Sequence, residues 1–324
     1  MADRMCSTEG FKSHRRDSLA YHCMRVILSI LLWLPISAQA ESIIILLSDT
    51  QQIYRDMAAV IEPGHPQQTR TVLLDEFIQS GMDSNAHTLV AIGTRACESG
   101  IQFNPAQYRV ICTFLPSQTF EQLVTHHIDA IINQQSVTAV FMDQPLQRQI
   151  DLARLIAPNA RTLGTVFGNT SVYQQEAFER LAHTAGFAPQ HAFLDERQNP
   201  VQILTPLIQR SDIFLSLPDS ASFNRNVTRW SLYITLRNRV PLIGFSASYA
   251  EAGAVVSLYS TVQQLAEQTN EVIRIVEQGG ELPAPAYPSA FTININRSAA
   301  RTLRMELPES ETLAQQLKQR GDGQ

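Results

Sequence analysis

Short apolar runs that alternate with amphipathic segments restrict most strongly what this chain can fold into. The run IIILL after Ser42 is typical, because it is wholly apolar, short and followed by a helical pattern. Strands of this kind, separated by helices, predict an α/β fold with parallel sheets flanked by helices on both faces. Since the pattern restarts after Pro158, we expect two sheets. The predicted strands lie at 42–47, 87–94, 108–114, 136–141, 161–168, 212–218, 240–246, 254–260 and 291–296.

The N-terminal region carries the three parts of a secretory signal. A positive charge precedes an apolar run at 26–36, and the small-x-small pattern AQA follows at 38–40. The run is too short to span a bilayer, which needs ~20 apolar residues. We predict a leader over 1–40, with the signal peptide proper at 24–40, whose removal leaves a periplasmic protein. No cysteine follows the run, so a lipid anchor is not expected.

Charge and cysteine content narrow the possible partners and the redox state. With 25 Lys and Arg against 30 Asp and Glu, the 324 residues have a net charge of −5, which suggests neither nucleic acid nor an anionic membrane as a partner.

Two cysteines remain after the leader, Cys97 and Cys112. They could pair in an oxidising periplasm, but the spacing does not supply the geometry. Buried free thiols are the favoured reading, since free cysteines are commonly core residues.

The motifs that would indicate an enzyme are incomplete. GFSAS at 244–248 follows a strand, but Ser248 stands where the nucleophile elbow G-x-S-x-G needs glycine. In that fold the histidine follows the serine, whereas His191 is the last of the eight histidines. His126 and His127 are adjacent and diverge on a helix, so no metal site is expected. No nucleotide or dinucleotide motif follows a strand, so no cofactor is expected.

Small polar residues follow strand after strand. In open α/β sheets, ligands bind outside the carboxyl ends of the strands, where helix N-termini offer free N–H groups. None of these residues is an activated nucleophile with its base, so they predict recognition and not catalysis. The candidate ligand-binding residues are Ser48, Asp49, Gly93, Thr94, Arg95, Asn169, Thr170, Asp219, Ser220 and Ser246.

Several segments, in this order, resemble the uncharacterised ABC-transporter substrate-binding family that includes tryptophan- and tyrosine-type binding proteins. They are LSDTQQIY, VAIGTRA, LGTVFGN, DIFLSLPDS, VPLIGFSASYAEAGAVVSLY and FTININRSAARTLRMELP. The resemblance covers nearly all of 42–308 and implies a two-lobed type I periplasmic binding fold, with three crossings between the lobes. The chain departs from the family pattern near the implied cleft, at 115–117, 141–143 and 167–169.

The resemblance and the strand pattern together give a domain organisation. The N-terminal lobe is expected at 41–142 plus 252–286 and the C-terminal lobe at 143–251 plus 287–308. A polar tail, expected to be a loose helix, occupies 309–324.

The function implied is that of a periplasmic solute-binding component of an ABC importer. It would act as a monomer, bind a small polar metabolite, an amino acid foremost, and deliver it to an inner-membrane permease. Asp219 is the expected partner of an amino group, and Arg95 holds a carboxylate if it points into the cleft, although the outward orientation is favoured. A sensory binding subunit is the alternative, and a secreted hydrolase using Ser246 is the least favoured class.

Overall fold

The computed structural model describes residues 42–65, 69–80, 86–102, 108–127, 136–195, 197–219 and 225–321. The predicted leader at 1–40 and the candidate residue Ser220 lie outside these residues. Glu41–Gln324 forms one compact unit. Among the described residues, no helix combines the length and the apolar character needed to cross a bilayer.

The first sheet has parallel strands in the order β2-β1-β3-β4-β5. The strands are β1 (Ser42–Leu47), β2 (Thr69–Leu73), β3 (Ala86–Ile92), β4 (Arg109–Leu115) and β5 (Val137–Phe141). The helices between them are α1 (Gln52–Ile61), α2 (Leu74–Ser80), α3 (Thr94–Gln102) and α4 (Ser117–His126). On β1, Ile44 and Leu46 enter one core while Ile43 and Ile45 enter another. The predicted burial of both faces is therefore confirmed for this sheet.

The second sheet has the order β11-β10-β9-β8-β6-β7. Its strands are β6 (Thr162–Phe167), β7 (Ala188–Phe193), β8 (Ile213–Leu215), β9 (Leu242–Gly244), β10 (Val256–Tyr259) and β11 (Thr292–Ile295). The helices of this half of the chain are α5 (Leu146–Ile156), α6 (Gln175–Thr184), α7 (Pro200–Gln209), α8 (Arg225–Asn238), α9 (Ala247–Ala252), α10 (Val262–Glu277), α11 (Arg297–Thr302) and α12 (Ser310–Gly321). β11 pairs antiparallel with β10, whereas the other pairings are parallel. The fold is the two-lobed type I periplasmic binding fold.

The chain passes between the two sheets at three places. The first is the segment between β5 and α5, and the second lies between β10 and α10, whose Leu265 and Ile273 pack in the core of the first lobe. The third follows Ala286, which still exchanges backbone hydrogen bonds with β5. Because β10 belongs to the second sheet, the expected segment 252–286 begins too early for the first lobe, and sheet membership moves that boundary to the turn at 260–261.

The cysteines differ from the expectation of free thiols. Cys97 and Cys112 form a disulfide. Cys97 lies on α3 and Cys112 on β4, and both are fully buried in the first lobe. The bond attaches α3 to the sheet beneath it. The separation of 15 residues in the sequence did not indicate that the two cysteines lie close together.

The chain ends in a helix that belongs to the second lobe. Leu313 and Leu317 of α12 are buried in the core that also contains Ile293 of β11. The expected helix in the tail at 309–324 is present as α12, but it is not loose, because two buried leucines one turn apart hold it to the domain.

Candidate ligand-binding cleft

The rim of the first lobe is organised by Ser48. Its buried hydroxyl oxygen accepts a hydrogen bond from the backbone N–H of Ala96 at 2.9 Å and so caps the first turn of α3. Gly93 lies beside it with φ +90°, and a Cβ at Gly93 would stand 2.6 Å from the Ser48 hydroxyl oxygen. The close approach of the two loops therefore requires glycine at this position.

Arg95 lies along this rim. Its Nη1 donates to the backbone carbonyl of Ser48 at 3.3 Å, and its Nη2 stands 4.0 Å from a carboxylate oxygen of Asp75. A small pocket of about 170 Å³ is lined by Arg95, Asp75 and Asp49 together with neighbouring residues of the β1 and β2 ends. The guanidinium is thus held over the carboxyl ends of these strands while remaining largely exposed. Thr94, half-buried, begins α3 beside it.

The rim of the second lobe is organised by Asp219. This buried carboxylate accepts backbone hydrogen bonds from Ser171 at 2.8 Å and Gly168 at 3.2 Å. It therefore ties the loop after β8 to the loop after β6. Asn169, which is exposed, and Thr170, which is half-buried, occupy the turn that these bonds hold.

Ser246 lies at the start of α9 and is half-buried. Its hydroxyl group shares a 2.9 Å hydrogen bond with the hydroxyl group of Ser248, the residue that replaces the glycine of a nucleophile elbow. Within the described part of the chain, no group of three or more His, Cys, Asp or Glu side chains could hold a metal ion.

A cluster that was not predicted as a site lies where the chain first crosses between the lobes. Both carboxylate oxygens of Asp143 accept hydrogen bonds from Ser117, one from its backbone N–H and one from its hydroxyl, each at 2.7 Å. The hydroxyl of Tyr287, on the third crossing, donates to the Ser117 hydroxyl oxygen at 3.2 Å. The ring of Phe141 meets that of Tyr287 edge-on, with centroids 5.2 Å apart.

The electrostatics of this cluster extend across the cleft. Burial raises the pKa of Asp143, against the opposing effect of the Ser117 hydrogen bonds. Burial also raises the pKa of Tyr173 to about 12, and the charges of Asp143 and Glu121 add to that increase. Tyr173 follows β6 in the second lobe, whereas Glu121 lies on α4 in the first. We call Ser117, Phe141, Asp143, Tyr173 and Tyr287 the hinge cluster.

The three crossings are also joined to one another. Gln144 on the first donates from Nε2 to the hydroxyl oxygen of Ser260 on the second, at 2.8 Å. Ser260 in turn donates to the backbone carbonyl of Ala290 on the third, at 2.7 Å. This chain of hydrogen bonds joins the three segments that connect the two lobes.

The structure groups the predicted residues by lobe. Ser48, Gly93 and Arg95 are in contact at the first rim, while Asp219 holds the turn that contains Asn169 and Thr170 at the second. The hinge cluster was missed as a site, although a signal was present. Ser117 and Asp143 fall within two of the segments, 115–117 and 141–143, in which the sequence departs from the family pattern.

A family model described as ABC transporter substrate binding protein matches residues 79–317. The chain belongs to this family. The expected family membership is thereby confirmed, and with it the general class of proteins that bind a small ligand and work with a permease. No curated protein matches the sequence significantly.

Solved structures share the fold at low sequence identity. A ligand-free, open substrate-binding protein with adhesive properties from Clostridium difficile is 14% identical, with a TM-score of 0.66 over 84% of this chain and 97% of the other. A conserved domain protein from Vibrio cholerae is 16% identical, with a TM-score of 0.60 over 85% and 98% of the two chains. A Streptococcus pneumoniae ABC domain in complex with L-Trp is 18% identical, with a TM-score of 0.59 over 83% and 96%.

Proposed function

We propose that this substrate-binding protein is the periplasmic, monomeric solute-binding component of an ABC importer, and that its lobes close on a small solute with an ammonium group. An amino acid is the leading candidate, and binding requires no catalysis. The observation that carries the proposal is the carboxylate of Asp143, held by Ser117 beside the phenol of Tyr287 where the lobes meet.

The hinge cluster has the chemistry that recognises an ammonium group. A carboxylate that accepts hydrogen bonds from Ser117 retains further lone-pair positions for the three donors of an ammonium ion. The rings of Tyr173 and Tyr287 add aromatic faces, which attract cations. Because the site is partly withdrawn from water, these interactions are stronger than they would be on an exposed surface.

The first-lobe rim supplies the complementary group. Arg95 and the N-terminus of α3 offer a guanidinium and the positive end of a helix dipole, which suit a carboxylate. The other predicted rim residues remain part of the proposed site: Ser48, Asp49, Gly93, Thr94, Asn169, Thr170, Asp219, Ser220 and Ser246. In this arrangement Asp219 positions the second-lobe turn, and Asp143 replaces it as the main partner of the ammonium group.

The test is a thermal-shift screen of residues 41–324 against amino acids, amines, sugars, nucleosides and organic acids. A ligand at a hundredfold excess over its Kd adds about 2.7 kcal/mol of stability, which is readily detected. We expect a shift with at least one amino acid, and its loss in Asp143→Asn. The matched control is Glu251→Gln, which removes one exposed carboxylate outside the hinge cluster and should leave the shift unchanged.

The importer role needs a separate measurement. Uptake of the identified solute should fall when the chain is deleted and return with the wild-type chain but not with Asp143→Asn. Binding without any effect on uptake would contradict the importer role and leave the sensory role. A shift with sugars or nucleosides alone would contradict the ammonium ligand.

A further inference from the structure

The outward face of α8 combines exposed aromatic side chains with arginines. The buried side of this helix packs into the second lobe through Val227 and Ile234. The outward side carries arginine and aromatic residues on successive turns, in the order Asn226, Arg229, Trp230, Tyr233, Leu236 and Arg237. We call these six residues the α8 outer face. They extend over roughly 17 Å of the helix axis at ~1.5 Å per residue.

Large apolar side chains on this face remain open to solvent. Trp230 is 41% exposed, Tyr233 is 52% exposed and Leu236 is 48% exposed. Trp230 and Tyr233 meet edge-on with ring centroids 5.9 Å apart. They line a groove of about 630 Å³ whose other wall includes Ala252 and Gly253 at the end of α9. Contiguous exposed apolar surface of this kind is typical of interaction sites.

The charge of the helix is positive throughout. Arg225, Arg229 and Arg237 are exposed, Arg239 follows directly, and α8 contains no acidic residue. Within the described ranges, no carboxylate forms an ion pair with these arginines. Arg237 instead donates from Nη1 to the hydroxyl of Tyr233 at 2.9 Å, which holds it along the aromatic stripe. This positive surface is local, since the whole chain has a net charge of −5.

We propose that the α8 outer face docks on a bilayer surface that contains anionic phospholipid. Tryptophan and tyrosine favour the boundary between headgroups and acyl chains, and arginine places its charge at the headgroups while its stem contacts apolar groups. A second copy of the chain is a poorer occupant, because two such faces would bring arginines together. A protein of the ABC substrate-binding family works beside a membrane permease, so a bilayer is the extended anionic surface at hand.

The docking surface lies outside the proposed ligand site. No residue of the α8 outer face belongs to the hinge cluster or to the predicted rims. Membrane docking would concentrate the protein near the bilayer and does not depend on the identity of the solute.

The experiment uses residues 41–324, the compact unit without the apolar run of the predicted leader. Trp33 lies in the leader, so Trp230 is the single tryptophan of this segment and its fluorescence reports on α8 alone. Vesicles of equimolar phosphatidylglycerol and phosphatidylethanolamine are compared with vesicles of phosphatidylcholine. We expect co-sedimentation with the anionic vesicles, a blue shift of the Trp230 emission, and weaker binding as salt is raised.

The deciding variant combines Arg229→Gln with Arg237→Gln in one protein. Each arginine near an anionic surface contributes roughly a factor of five, so the partition coefficient should fall about 30-fold. The matched control combines Arg55→Gln with Arg180→Gln, which removes the same charge from exposed positions on α1 and α6. This control should bind as the wild type does. Circular dichroism and thermal melting verify that each variant is folded.

Three outcomes in which the protein does bind vesicles would overturn the proposal. They are equal binding to neutral and anionic vesicles, equal loss in the α8 and control variants, and sedimentation without a change in Trp230 emission. Absence of binding to either vesicle would overturn it as well and would direct attention to an acidic protein surface.

Discussion

Ser117 and Asp143 form a two-point contact between the start of α4 and the first crossing, with the backbone N–H and the hydroxyl of Ser117 each 2.7 Å from a carboxylate oxygen of Asp143. Aspartate is a common N-cap residue and Asp143 comes shortly before α5, yet α5 begins after Pro145 without a side-chain cap. The carboxylate caps α4 instead and thereby joins the first lobe to the crossing.

Asp143→Asn should change how stability depends on pH. Burial raises the pKa of Asp143 above its ordinary value of 3.8, so the folded protein retains a proton that the unfolded chain releases. The stability that Asp143 contributes is fully present below pH 3.8, and it is lost as the pH rises through the raised pKa of the folded protein. Asp143→Asn has no carboxyl group to ionise at this position, so its free energy of unfolding does not fall with this titration. Urea unfolding from pH 3.5 to 7 should show the wild type losing free energy relative to Asp143→Asn, and a constant difference would contradict the expectation.

Asp219→Ala should destabilise the second lobe. It leaves the buried N–H group of Ser171 without its acceptor, while the Gly168 N–H keeps its bond to the Ser171 hydroxyl oxygen. An unsatisfied buried donor costs about 1–3 kcal/mol. Asp219→Asn keeps one side-chain oxygen as an acceptor and serves as the control, with an intermediate loss. The free energy of unfolding measured in urea tests the order, and equal values for both variants would contradict it.

Removal of the disulfide should destabilise the first lobe. Cys97→Ala combined with Cys112→Ala opens a loop of 15 residues, for which the loss is about 3 kcal/mol. Alanine suits both positions because they are fully buried. Unfolded, unreduced protein of residues 41–324 should show no free thiol on titration, whereas two free thiols would exclude the bond.

Much of the fold could be predicted because its central strands are continuous apolar runs in the sequence. β3 and β8 are buried almost throughout, so their sequences leave little alternative. β2 and β7 were missed, and both are edge strands in which most residues are exposed or half-buried. An edge strand buries little apolar surface, so its sequence lacks the run that identifies a central strand.

Only those features of the candidate site that depend on neighbouring residues in the sequence could be predicted. Ser48 and Asp219 lie in the loops after β1 and β8, which the strand pattern alone predicts. The contact of Ser117 with Asp143 spans 26 residues and joins two different segments, so no local pattern could indicate it.

Gly93→Ala should disrupt the first-lobe rim beyond the effect of backbone strain. Gly93 has φ +90° and a Cβ would lie 2.6 Å from the Ser48 hydroxyl oxygen. Gly279 has φ +78° with open space around it, so Gly279→Ala measures the backbone effect alone. We expect Gly93→Ala to cost about 1–3 kcal/mol and to exceed the control. Equal losses of unfolding free energy would show that the contact with Ser48 relaxes freely.

The affinity for an ammonium ligand should increase with pH, which tests the proposed role of Asp143. An ammonium ion binds the ionised carboxylate and not the protonated form, so binding below the raised pKa of Asp143 must release a proton. The groups around Asp143 are Glu121, Tyr173 and Tyr287, and both phenols have a raised pKa and remain neutral in this range.

The measurement is isothermal titration of the amino acid that gives the largest thermal shift, from pH 4 to 7 in buffers of different ionisation enthalpy. The wild type should bind more tightly as pH rises and then reach a plateau, with proton release detected on the rising part. Asp143→Gln leaves a neutral side chain and should give weak, pH-independent binding, while Glu251→Gln should follow the wild type. If the wild-type affinity is constant across this range, Asp143 does not hold the ammonium group, and the charge partner must be sought at Asp219.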